Sequence, residues 1–177
     1  MKFSTFGPLH AQEWTTLGLD KLFSDAEAAK SDLSRAMGVY IIVTRDKKGK
    51  LTPWYVGKTD KGFRRRLTQH LKSATLQALF TKPSITVQVF LIARVTNVGR
   101  IMKMKKRAKG KKGLRSIDIL ELSLIGSCLN KNIDLINAKN ATFHRIFHVP
   151  GYWNSLPKDY DAAASELALM VGIKSGI

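Results

Sequence analysis

A chain of 177 residues with 44% hydrophobic content can bury a core of its own without disulfides or structural metals, and its length argues for one globular domain. The single cysteine, Cys128, rules out an intrachain disulfide framework and lies in an apolar run, SLIGSCLNKN, as a small core residue. With 30 Lys and Arg against 13 Asp and Glu, the net charge of +17 exceeds what solubility asks and points to a polyanionic partner. No apolar run approaches the roughly 20 residues of a membrane span, and no membrane partner is expected. MKFSTFGPLHAQEW lacks the basic-then-apolar order of a secretory signal, so a reducing, cytoplasmic location is expected.

In chain order, residues to about Arg35 have helical character, with Ser24 in SDAEAAKSDLSRAM as an N-cap ahead of strong helix formers, and read as an extension packed on the domain. From Gly38, GVYIIVTRD is β-branched and aromatic, KKGKLTP supplies turn residues, and WYVGKT is a second short strand. Together they predict a hairpin. GFRRRLTQHLKSATLQALF repeats Phe63, Leu67, Leu71 and Ala74 at helical spacing, which predicts one amphipathic helix ended by Pro83. SITVQVFLIARV reads as a third strand, apolar enough to be central. The stretch between Gly99 and Arg115 is basic at about every second position and has no acidic residue. It reads as a mobile arm whose Lys103, Lys105, Lys106, Arg107, Lys109, Lys111 and Lys112 clamp phosphates, with a solvated linker as the plain alternative. Ser116 can cap SIDILELSLIGSCLNK, a helix apolar around most of its circumference and therefore largely buried. HVPGYWNSLPKDY and a final AAASELALMVGI helix close the chain. The expected organisation is one domain over 1–177, with a core of about 36–140 between extensions 1–35 and 141–177.

Glu121 shares a helical face with Ile117, Leu124, Ile125 and Cys128, so its carboxylate points where apolar groups belong and needs a cation. That cation is either a divalent metal or a salt-bridge partner among Arg64, Arg65 and Arg66. One turn apart, Arg66 and His70 stand side by side and suit a phosphate site: the guanidinium for bidentate contact, the imidazole for donation or proton transfer near neutral pH. Tyr40 and Tyr55 lie on strands that a short turn folds together, and a neighbouring arginine and metal would favour a phenolate. Gly57 ahead of Lys58 marks a place where backbone can approach a phosphate closely. The ordinary alternatives are a solvated arginine face and aromatics packed on a sheet.

Taken in order, Gly38-Val39-Tyr40, Tyr55-Val56-Gly57 with Lys58-Thr59, the helix GFRRRLTQHL and the glutamate of ELSLIG resemble the GIY-YIG nuclease family over roughly Gly38 to Asn137. The resemblance implies a small α/β domain with a three-stranded, mainly antiparallel sheet flanked by helices. It implies a metal-dependent endonuclease acting on DNA, with catalytic Tyr40, Tyr55, Arg66, His70, Glu121 and Asn137. Arg65 stays open beside Arg66, and Asn132 beside Asn137. Glu121 would hold one magnesium or manganese ion, Tyr40 would act on the attacking water, and Lys58, Arg64 and Arg65 would bind the nucleic acid. A homodimer or a partner protein would supply specificity. The competing expectations are a non-catalytic basic DNA-binding protein on the same scaffold and a structural RNA-binding protein.

Overall fold

The computed structural model describes residues 2–82, 84–103, 115–137 and 161–170. The chain separates into two compact units, Met1–Ile136 and Asn137–Ile177. In the first, the order is β1 (Lys2–Ala11), α1 (Thr16–Ala29), a 3-10 turn (Leu33–Arg35), β2 (Gly38–Asp46), β3 (Leu51–Thr59), α2 (Phe63–His70), α3 (Ala74–Phe80), β4 (Ile85–Val95) and α4 (Arg115–Leu129). In the second, the helix α5 covers Ala162–Met170. No helix among the described residues is long and apolar enough to cross a membrane.

The strands form one antiparallel sheet in the order β1-β4-β2-β3. β4 is central, as its run of β-branched and apolar residues predicts, and β3 is an edge. The sheet has four strands where three are expected. The additional one is β1, in a segment expected to be helical up to Arg35; the helix there begins only at Thr16. Gly7-Pro8 interrupts the alternation of this strand, and its pairing with β4 shifts register between Phe6 and Leu9. A strand so broken can pair only along one edge, and β1 does so at the border of the sheet.

Even-numbered residues of β2, Tyr40 and Ile42, face a core built with Leu19, Leu22 and Phe23 of α1 and Phe63 and Leu67 of α2. On the opposite face, α4 packs against β3 and β2, with Ile117 and Ile125 buried. This helix is less buried than its composition suggests, since Ile119 and Leu122 are exposed. The expected single helix after β3 is two helices. Ser73 caps α3 by accepting from the Leu76 N–H, and it interrupts a hydrophobic spacing that continues unchanged across the break. Pro83, expected to end that helix, lies outside the described residues. Cys128 is buried as expected, and burial pushes its thiol up to about 11.

Candidate active site

The hairpin register puts Tyr40 opposite Gly57, and strand alternation puts Tyr55 on the same face. The two rings lie 5.9 Å apart, nearly parallel. A Cβ on Gly57 would collide with the Tyr40 hydroxyl end and come within 2.7 Å of Tyr55 Cε1, so the glycine is what lets the rings converge. Gly38 meets a similar limit at the other end of the pairing, where a Cβ would overlap the Ile92 carbonyl oxygen and reach 3.0 Å from Phe63 Cζ.

The turn from β3 into α2 is fixed by Thr59, whose buried hydroxyl donates to the Gly62 carbonyl at 3.1 Å and accepts from the Lys61 N–H at 3.1 Å. Phe63 and Leu67 then bury the inner face of α2, which brings His70 over the tyrosines. Its Nε2 lies 2.7 Å from Tyr40 Oη and 3.4 Å from Tyr55 Oη. Burial, with Arg66 nearby, lowers the His70 pKa to about 4, so the ring is neutral at pH 7; with Nδ1 protonated, Nε2 accepts the Tyr40 O–H. Burial also pushes the Tyr40 phenol far above its usual range, reinforced by Tyr55 and opposed by Arg66. Tyr55 is raised for the same first reason, again against Arg66. Tyr40 is fully buried, whereas Tyr55 is half-buried.

Because β3 is an edge strand, groups from both faces of the sheet meet around its open side. A cleft of about 310 Å³ lies there between α2 and α4, lined by Lys58, Lys61, Arg65, Arg66, Asp118 and Glu121 among others. Arg66 Nη1 donates to Gln69 at 3.1 Å, while its Nε is buried with no partner among the described residues. An orphaned donor of this kind costs about 1–3 kcal/mol. Arg65 lines the same cleft, but it is Arg66 that acts on both tyrosines and His70.

Glu121 is buried, as its helical face predicts, and its partner is none of the three arginines. Lys58 Nζ lies 2.8 Å from Glu121 Oε2 and 2.9 Å from Asp118 Oδ1. β3 alternation turns Lys58 away from the tyrosines toward α4, an orientation that sequence spacing alone does not disclose. Burial would lower the Lys58 pKa, but the two carboxylates outweigh it and raise it. Asp118 was missed from the sequence, although its position one turn before Glu121 signals a shared face. Two carboxylate oxygens already converge on one cation position, and hard oxygen donors are what magnesium and manganese prefer, so these residues fit such an ion.

Of the remaining candidates, Arg64 pairs with Asp20 of α1, and Lys103 Nζ lies 2.6 Å from Asp32 Oδ2, so both are engaged inside the protein. Lys105, Lys106, Arg107, Lys109, Lys111 and Lys112 lie outside the described residues. Asn132 donates from Nδ2 to the Pro53 carbonyl at 2.7 Å and ties the segment after α4 to β3. Asn137 opens the second unit. One support was invisible in the sequence: Trp14 donates from Nε1 to the His70 carbonyl at 3.0 Å while its ring stacks on Phe80 at 5.4 Å.

Residues 36–113 match the family model of the GIY-YIG catalytic domain. Over those residues the chain resembles a GIY-YIG domain. No curated protein and no solved structure matches it. The GIY-YIG match, to a nuclease-type family, takes in Tyr40, Tyr55, Lys58, Arg65, Arg66 and His70 and stops short of Glu121. The place of Glu121 beside these residues therefore rests on the packing of α4 against β3.

Proposed function

We propose that the protein is an endonuclease that hydrolyses DNA phosphodiester bonds with the help of magnesium or manganese. The observation that carries this reading is the cleft at the β3 edge, where Arg66, Lys58 and Glu121 line one space and Arg66 also reaches the Tyr40–His70 pair. Glu121, with Asp118 beside it, would hold the metal, which when bound stabilises negative charge on the reacting phosphodiester.

Arg66 donates to the non-bridging phosphate oxygens and offsets the negative charge that builds on them as water attacks phosphorus in line and the P–O bond to the leaving oxygen breaks, the leaving oxygen taking a proton from solvent. The attacking water gives its proton to Tyr40 Oη while Tyr40 passes its own to His70 Nε2. No free phenolate has to form, in keeping with the raised pKa of the buried phenol. His70 is neutral at pH 7 and able to accept; burial is the main cause of its lowered basicity, and the incoming phosphodiester offsets the smaller contribution of the Arg66 charge. Tyr55, sharing the same Nε2, holds the imidazole in place. Lys61 and Arg65 bind flanking phosphates, and the lysines and arginine of residues 105–112 add basic charge for a duplex or branched DNA.

A second reading, a non-catalytic DNA-binding protein, is favoured by one observation: Lys58 gives buried Glu121 a partner without any metal. Supercoiled plasmid incubated with wild type and Glu121→Ala, with magnesium, manganese or a chelator, separates the two. Metal-dependent nicking by wild type alone is expected, with DNA affinity of the variant within about threefold, a change of under 1 kcal/mol. Tight binding without cleavage of plasmid, branched DNA or RNA supports the second reading.

A further inference from the structure

The proposed chemistry needs a divalent cation at Glu121, yet a cation already sits there. Lys58 Nζ is within 2.9 Å of one oxygen of Asp118 and 2.8 Å of one of Glu121. The Glu121 side chain is only 11% exposed and has that ammonium as its counter-ion, whereas the Lys58 side chain is 42% exposed and has room to swing toward solvent. An ammonium and a divalent ion compete for one pair of carboxylates, because they repel each other at such distances and each weakens the hold of the carboxylates on the other.

Beyond the carboxylates, the same cleft offers Lys58 a second anion when a phosphodiester enters beside Lys61, Arg65 and Arg66. Accepting the reading that Glu121 holds the metal, we infer that Lys58 is a resident counter-ion of the Asp118–Glu121 pair, which a divalent cation must displace. In the DNA-free protein Lys58 opposes metal binding. With DNA present it moves to the phosphate and leaves both carboxylates to the metal, so metal and nucleic acid load with positive coupling.

Manganese binding to the full chain without DNA, followed by the loss of the free-ion paramagnetic resonance signal, tests this without any turnover. Lys58→Met removes the charge and keeps most of the side-chain length; Lys58→Gln is a second neutral variant should the first fold poorly; Lys58→Arg keeps a cation. Both neutral variants are expected to bind manganese at least about fivefold more tightly than wild type, and Lys58→Arg to stay within about twofold. Equal or weaker binding by the neutral variants would overturn the inference. Adding Glu121→Ala to Lys58→Met separates this result from the underlying assignment. Loss of the gained affinity supports both, whereas its retention means that the ion sits elsewhere and that Glu121 is not the metal ligand.

Discussion

Replacing Gly57 by alanine adds a single carbon at the crossing of the two tyrosines, where the rings leave no room for it. That carbon would lie 2.7 Å from Tyr55 Cε1 and closer still to the Tyr40 hydroxyl end, where carbon contacts normally settle at about 3.5–4.0 Å. The rings must therefore retreat by about 1 Å. Tyr40 Oη, now 2.7 Å from His70 Nε2, would move to roughly 3.7 Å, beyond hydrogen-bond reach. Overpacking costs about 1–3 kcal/mol, and the lost hydrogen bond contributes about 1 kcal/mol more, so a loss of about 2–4 kcal/mol is expected. With a urea dependence of about 2 kcal/mol per molar, the unfolding midpoint should fall by about 1–2 M. Plasmid nicking should fall by at least about 100-fold, since the proton path is broken, while DNA affinity, carried by the basic groups that line the cleft, changes little. A Gly57→Ala protein that unfolds at the wild-type midpoint and nicks at the wild-type rate would refute both the packing and the proton path.

Arg66→Ala should reduce nicking by about 100-fold or more, whereas Arg65→Ala should mainly weaken DNA binding and lower its salt slope by about one; the opposite pattern would assign the transition-state role to Arg65. Because the His70 pKa is lowered on folding, the unfolded chain takes up a proton first as pH falls. Stability should therefore decline as pH drops from about 6.5 through about 4. Urea unfolding of His70→Gln across that window should show less of this decline, and identical profiles would count against the buried neutral imidazole. Trp14→Phe keeps an aromatic ring against Phe80 but removes the donor to the His70 carbonyl, so a stability loss of about 1 kcal/mol is expected in the same assay.

The hairpin and the central strand were legible because short-range pattern decides them: β-branched runs, turn residues and the ordered tripeptides. The same holds for α4, where one acidic residue on an apolar face marked Glu121. β1 was not legible, because Gly7-Pro8 erases the alternation that would announce it and only the waiting edge of β4 makes a strand of it. The break between α2 and α3 was hidden by apolar residues that keep helical spacing across Ser73. The partner of Glu121 escaped for a different reason. Helical proximity suggested the three arginines, but the choice is made by which face of an edge strand meets α4, a matter of tertiary packing far apart in sequence.

The strand that sequence concealed also bears on how the family-matched segment can be handled. The family match begins at residue 36, after β1 and α1, yet β1 pairs along nearly the whole of β4, and Leu19, Leu22 and Phe23 share a core with Tyr40 and Phe63. A fragment trimmed to the matched segment would bare the backbone of the central strand and uncover that core, which invites intermolecular strand pairing. For grafting or fusion, the smallest portable piece is the first compact unit with its leading strand, and cutting at the family boundary would yield an aggregating protein rather than a minimal folded domain.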